Sequence, residues 1–232
     1  MAARTPRVIF VRHGETEWSL NGRHTSVTDL PLTEKGQKRI LSTGKALIGD
    51  DRLIVPEEVE HIFVSPRLRA RQTLELLLHD HKEDIESKVP VTVTEDIREW
   101  DYGDYEGLKT AEIKQLRRER GVNNADNWSI WTDGCEGGEM PPEVEERLDR
   151  FIEDIVAIHR KAIHENRSSE VIVVAHGHIL RCLVLRWVKR PISVNPNFIL
   201  EAGGVGVLSY EHNNCAEPAI CLGGAFTVPN DI

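Results

Sequence analysis

Three clusters in the sequence bring together residue types that handle phosphate. The first is Arg12-His13-Gly14-Glu15-Thr16-Glu17-Trp18, directly after the apolar run Val8-Ile9-Phe10-Val11. A histidine can attack phosphorus because its neutral imidazole keeps one lone pair while the other nitrogen holds a proton. The adjacent arginine offers a planar fork suited to phosphate oxygens, and Gly14 lets the backbone approach a ligand closely. The second cluster, His176-Gly177-His178, again follows a β-branched run, Val171–Ala175. The third is Ser65-Pro66-Arg67-Leu68-Arg69-Ala70-Arg71-Gln72-Thr73, after His61–Val64. At helical spacing Arg67 and Arg71 share a face while Arg69 points elsewhere. Such a basic cluster at a strand-to-helix turn suits an anion, helped by the free N–H groups of the helix start. Taken singly, each has an ordinary explanation: a hydrogen-bonded structural His176, a helix-start His178, a solvated Arg67–Arg71 face. Their common placement at strand ends carries the argument, because α/β sheets bind ligands at the carboxyl ends of their strands.

Positioning those ends takes an α/β fold, and the rest of the chain supplies one. Short apolar runs alternate with helix-period segments. Strands are expected at Val8–Val11, His61–Val64, Val91–Val93 and Val171–Ala175, with a closing hairpin of Gly206–Tyr210 and Ala219–Leu222. Helices are expected from Glu34 to about Leu47 (capped by Thr33), after Pro66, from Pro142 to His164, and over Ile179–Val188. Val144, Leu148, Phe151, Ile155 and Ile158 form the apolar stripe of the longest. Between about 98 and 140 the texture changes, with Trp100, Tyr102, Tyr105, Trp128 and Trp131 among many Gly, Asn and Asp. A segment of that kind is a binding lid or the packing of a small subdomain; for any single tryptophan packing is the simpler expectation. The fold class expected is therefore α/β, a three-layer α/β/α domain over residues 1–232 with a mostly parallel central sheet and a loop-rich cap insertion at about 98–140.

Composition excludes several classes. With 40% hydrophobic and 29% charged residues, the 232-residue chain is ordinary for a globular protein rather than a disordered one. Its formal charge of −9 and lack of a basic block argue against nucleic acid. No apolar run approaches the roughly 18–20 residues that span a bilayer, and Val8–Val11 is too short for a secretory h-region. The four cysteines, Cys135, Cys182, Cys215 and Cys221, form no Cys-x-x-Cys pair. They are expected as free thiols of a cytoplasmic protein, although Cys215 and Cys221 could face each other across the hairpin. Other phosphatase chemistries fail on motif. No Cys-x₅-Arg and no Asp-x-Asp occurs, and Gly44-Lys45-Ala46 lacks the earlier glycine and the hydroxyl of a P-loop.

In order along the chain, Arg-His-Gly-Glu-Thr at 12–16, Ser-x-x-Leu-Arg-Ala-x-Gln-Thr at 65–73, the Glu99 segment Ile97–Gly103 and Ala-His-Gly at 175–177 resemble the histidine phosphatase superfamily, the phosphoglycerate mutase-like proteins. The similarity runs from Val8 to about Tyr210. The segments 98–107 and 201–210 are most similar to the fungal sedoheptulose-1,7-bisphosphatases. That resemblance implies His13 as the phosphorylated nucleophile, Arg12, Arg69 and a protonated His176 as the clamp on the phosphoryl group, and Glu99 as proton donor to the leaving oxygen. It also implies substrate-side roles for His24, Thr25, Tyr102, Arg181 and Gly204. Ser19 and His24-Thr25-Ser26 depart from the usual pattern, and 188–197 is shorter than in the sugar-bisphosphatases. The activity implied is a phosphohydrolase needing no metal or other cofactor, acting on a small sugar phosphate, with Trp100, Tyr102 and Trp131 suited to a sugar face. The alternatives are a phosphoglycerate mutase and a non-catalytic protein that binds a phosphate ligand. Neither nucleic acid nor membrane is an expected partner, and the oligomeric state is left open.

Overall fold

A computed structural model of the protein describes residues 4–195 and 197–222. Its centre is a six-stranded sheet of order β3-β2-β4-β1-β5-β6. The strands are β1 (Arg7–Arg12), β2 (Val59–Val64), β3 (Val91–Val93), β4 (Glu170–Ala175), β5 (Val205–Tyr210) and β6 (Pro218–Cys221). The first four are parallel, and the β5–β6 hairpin adds to β1 antiparallel. β4 is buried along its whole length, as expected of a central parallel strand covered on both faces.

The helices are α1 (Glu17–Asn21), α2 (Glu34–Leu47), α3 (Leu68–Leu78), α4 (Lys82–Glu86), α5 (Thr110–Glu119), α6 (Ile130–Asp133), α7 (Pro141–His164) and α8 (Gly177–Trp187). Alternation along the strands divides the core in two. Ile9, Val11, Ile62, Val64, Ile172 and Val174 face α2 and α3. Val8, Phe10, Phe63, Val171, Val173 and Ala175 face α7, α8 and the 97–135 segment. The outcome is the three-layer α/β/α arrangement. Thr33 caps α2 by accepting from the Gly36 N–H. α3 starts two residues after Pro66, with its Leu68 N–H donating to Asp29 across the cleft wall at 2.7 Å.

Two alternatives that the sequence left open are decided by the fold. All four cysteines are free, and Cys215 lies in the β5–β6 turn while Cys221 pairs with Val207 at the far end of the hairpin, so the two do not face each other. The 98–140 segment is less loop-like than its composition suggests, since it contains α5 and α6. Its aromatic residues Trp100, Tyr105, Trp128 and Trp131 are buried as the core of that segment rather than displayed by a lid. Among the described residues no helix is long and apolar enough to cross a membrane.

Candidate active site

Sheet register assembles the site. Arg12 pairs with Ala175 and Val64 with Val174, so β1, β4 and β2 end side by side. The residues just beyond those ends are His13, His176 and Ser65. The His13 N–H donates to the Ala175 carbonyl at 2.9 Å and the Ser65 N–H to the Val174 carbonyl at 3.0 Å. The two histidine rings are consequently 5.2 Å apart.

His13 is 6% exposed, and its Nδ1 lies 2.7 Å from the Gly14 carbonyl. A carbonyl only accepts, so Nδ1 carries the proton and Nε2 keeps the lone pair. Burial, then the charges of Arg69 and Arg12, push the His13 pKa well below the ordinary value, so the ring is neutral near pH 7. Gly14 is itself held by its N–H donating to Thr73 Oγ1 at 3.0 Å.

Arg69, whose helix position faces inward, is fully buried. Its Nη2 donates to the carbonyls of Thr25 (3.0 Å) and Ser26 (3.1 Å), its Nη1 to that of Thr28 (3.1 Å), and its Nε to His176 Nδ1 (3.2 Å). Because His176 Nδ1 accepts, its Nε2 carries the proton, donated to Ser65 Oγ at 2.6 Å. Burial and the neighbouring Arg69 also push the His176 pKa well down. His176 is therefore neutral here, not the imidazolium that the sequence resemblance implied. Arg12 anchors its Nη1 on the Leu200 carbonyl at 2.6 Å, while its buried Nε has no hydrogen-bond partner among the described residues. Its guanidinium lies across the start of α8. A Cβ at Gly177 would sit 3.3 Å from Arg12 Cζ, which accounts for a glycine there. Arg71 is exposed, and Arg67 is half-buried facing Glu95.

Opposite His13, Glu99 is 4% exposed. Its carboxylate accepts from the backbone N–H groups of Trp100 (3.0 Å), Ile179 (2.9 Å) and His178 (3.1 Å), so it sits on the N-terminus of α8. A cleft of about 510 Å³ is lined among others by Arg12, His13, His24, Glu99, Tyr102 and Arg181, whereas Arg69 and His176 are fully buried and do not line it. Thr25 is also on its wall. Tyr102 reaches the cleft with its hydroxyl engaged by His178 Nδ1 at 2.7 Å. Arg181 lies over the Trp131 ring at 4.7 Å. Gly204 is set back: its N–H donates to the Glu201 carbonyl and its carbonyl accepts from the Arg12 N–H, so it positions the strand end rather than lining the cleft. Trp100, fully buried with its Nε1–H on the Glu139 carbonyl, is likewise unavailable to a sugar face.

A larger groove of about 970 Å³ between α7, the end of α8 and the β5–β6 turn contains none of these groups, so chemistry rather than size marks the site. Among the described residues, Glu211, His212 and Glu217 alone have side chains spaced to hold a metal ion; they are exposed in that same turn, away from the cleft.

Sequence reasoning missed the supports. Ser65, Gln72 and Thr73 hold, respectively, His176 Nε2, the Leu32 N–H and the Gly14 N–H. Glu106 accepts from the Ser26 and Thr28 N–H groups, fixing the loop whose carbonyls bind Arg69. Behind Glu99, Arg147 makes a two-pronged contact with Glu139 (2.8 and 2.9 Å) and also bonds the carbonyls of Asp96 and Arg98. Glu139 additionally takes the Asp101 N–H at 2.9 Å and Arg98 at 2.7 Å. Burial raises the Glu139 pKa, but the Arg147 hydrogen bonds and charge outweigh it and hold the carboxyl below its usual range. Arg147 interrupts the apolar stripe of α7 with a charge on its buried side, the one signal that could have revealed this cluster.

Strand-end histidines, two arginines and an opposed carboxylate on an α/β/α sheet define a phosphoryl-transfer site, and comparison with known families agrees. Residues 8–220 match the histidine phosphatase superfamily (branch 1), and the chain belongs to it. It is 42% identical to the sedoheptulose 1,7-bisphosphatase of Saccharomyces cerevisiae, covering 99% of this chain and 96% of that one. It is 34% identical to an acid phosphatase of Mycobacterium tuberculosis, covering 91% and 90%. A solved structure from Mycobacterium tuberculosis superposes with a TM-score of 0.69 at 30% identity, covering 94% of this chain and 97% of that one.

Proposed function

We propose that the protein is a metal-independent phosphohydrolase that cleaves a sugar phosphate, best a sugar bisphosphate such as sedoheptulose 1,7-bisphosphate, through a phosphohistidine at His13. The observation that carries this is the locked tautomer of a neutral His13: the Nδ1 contact to the Gly14 carbonyl leaves Nε2 as the nucleophilic lone pair. In the first step Nε2 bonds to phosphorus as the ester P–O bond breaks, and Glu99 gives its proton to the departing alkoxide. In the second, Glu99 as carboxylate takes a proton from water while the water oxygen displaces His13 from phosphorus. Arg12, Arg69 and His176 are assigned to the equatorial oxygens, where such transfers need positive charge and donors; for this the His176 Nε2–H exchanges its Ser65 Oγ partner for a phosphoryl oxygen. A phosphate dianion next to His176 also favours its protonation, opposing the effect of Arg69.

A bisphosphate suits the distribution of charge. In a chain of −9, Arg12, Arg23 and Arg181 all line the cleft. The strong similarity to a sugar bisphosphatase supports hydrolysis over mutase chemistry. The test is phosphate release from sugar mono- and bisphosphates, phosphoglycerates and a phosphotyrosine peptide, with trapping of an acid-labile phosphoenzyme. A sugar bisphosphate should be turned over best, and His13→Ala should abolish both turnover and labelling. Best turnover of the phosphopeptide would overturn the substrate reading, and the absence of any acid-labile phosphoenzyme would overturn the mechanism.

A further inference from the structure

His24 and His178 stack beside Glu99 with ring centroids 5.8 Å apart and planes 13° from parallel. Both line the cleft. The Nδ1 of His24 lies 2.8 Å from the Leu108 carbonyl. That oxygen can only accept, so His24 Nδ1 carries the proton and its Nε2 is an acceptor. His178 has the opposite polarity. Its Nδ1 is 2.7 Å from the Tyr102 hydroxyl. Tyr102 is 2% exposed, and among the described contacts His178 Nδ1 is the only partner of its hydroxyl. A buried hydroxyl donates its proton where an acceptor exists, so His178 Nδ1 accepts and Nε2–H is the donor. Burial keeps both rings neutral by lowering their pKa values, and it raises that of Tyr102 well above the ordinary value, which preserves the arrangement.

We infer that His24 and His178 form an acceptor–donor pair that reads a substrate hydroxyl close to the ester being cleaved, with Tyr102 as the positioning residue that sets the polarity of His178. This rests on the proposed sugar phosphate substrate. A hydroxyl is the complementary group: at roughly 2.8 Å from each nitrogen it accepts from His178 Nε2–H and donates to His24 Nε2. A carboxylate or phosphate oxygen without a proton cannot donate to His24. The pair thus favours hydroxylated phosphate esters over esters that carry no hydroxyl. Its location fits a hydroxyl near the leaving oxygen, because the His178 N–H donates to Glu99 Oε2 at 3.1 Å.

The experiment compares kcat/KM for the best hydroxylated phosphate ester with that for phenyl phosphate, which has no such hydroxyl. His178→Phe keeps an aromatic ring against Trp131 but loses both ring nitrogens. It should lower the ratio of the two values about 10- to 100-fold, the range for one lost hydrogen bond in a desolvated site. His178→Gln, whose amide nitrogen reaches the Nε2 position, should retain more of the ratio than His178→Phe. Tyr102→Phe should lower it in the same direction, and the double variant should fall no further than His178→Phe, because the two act as one unit. A wild-type preference that survives in His178→Phe, or losses that add in the double variant, would overturn the pair. A wild-type protein with no preference for any hydroxylated ester over phenyl phosphate would instead overturn the functional reading beneath it.

Discussion

Removing Arg69 should be costly twice over, and the two costs can be measured apart. The side chain is fully buried and bonds three loop carbonyls as well as His176 Nδ1. Arg69→Ala removes one preorganised donor from the phosphoryl site, worth about 10²–10³ in kcat. It also leaves the carbonyls of Thr25, Ser26 and Thr28 without their charged partner. Hydrogen bonds to a charged group are worth about 1.5–3 kcal/mol each, but Thr25 lines the cleft and Thr28 is only half-buried, so water can replace part of what is lost. A net loss of about 3 kcal/mol is therefore expected, equivalent to a Tm lower by about 6–12 °C at this chain length. Arg71, two residues on and exposed, is the control: Arg71→Ala should change stability by less than about 0.5 kcal/mol and activity only slightly. Thermal melts give the first quantity, and steady-state kinetics well below the lowered Tm give the second. Equal kinetic losses at Arg69 and Arg71 would refute the reasoning, since a diffuse field and not an aimed fork would then be at work.

Other consequences follow from the same geometry. Arg147→Met should destabilise the fold by about 3–5 kcal/mol, because it leaves the buried Glu139 without its two-pronged partner; a urea midpoint unchanged from wild type would rule this out. The variant should also lower kcat, since Arg147 holds the carbonyls of Asp96 and Arg98 just ahead of Glu99. Acid should destabilise the protein below about pH 6.5, the ordinary histidine value. His13, His176 and His178 all have depressed pKa values in the fold, so the unfolded chain binds protons there that the native state does not. His159, fully buried on the Tyr210 hydroxyl and with a pKa of about 4, contributes a loss of about 3 kcal/mol between pH 6.5 and 4. In His159→Asn the fall in stability over that window should be shallower; an unchanged slope in urea titrations would count against it.

The strands and the groups gathered at their ends were legible in the sequence because they depend on local signals. Buried parallel strands appear as unbroken β-branched runs, and Arg12-His13-Gly14 and His176-Gly177-His178 follow two of them directly. Thr33 marked the start of α2, and the stripe from Val144 to Ile155 marked the buried face of α7. What was not legible depends on contacts distant in sequence. Glu139 and Arg147 are eight residues apart, yet their purpose is set by carbonyls at Asp96 and Arg98. The neutrality of His176 could not be anticipated either. It follows from complete burial beside Arg69, 107 residues away. The expected sugar-facing role of Trp100 failed for a related reason: aromatic composition does not say which rings the segment needs for its own core.

In the proposed mechanism the arginines of this site have two functions that are usually treated separately. Before substrate arrives, burial keeps His13 unprotonated, and Arg69 and Arg12 add to the effect. A nucleophile must have that free pair, and here the positive charge that depresses its pKa is already in place to receive phosphate. When the phosphoryl group enters, its negative charge offsets the arginines, and His176, neutral until then, gains a reason to take up a proton. Glu99 is held in place on the N-terminus of α8 by three backbone N–H groups. One set of buried charges thus fixes the nucleophile, prepares the anion site and leaves the acid on the opposite wall. A lone strand-end histidine, without those arginines and without the Gly14 carbonyl, would have neither the tautomer nor the charge state that the chemistry requires.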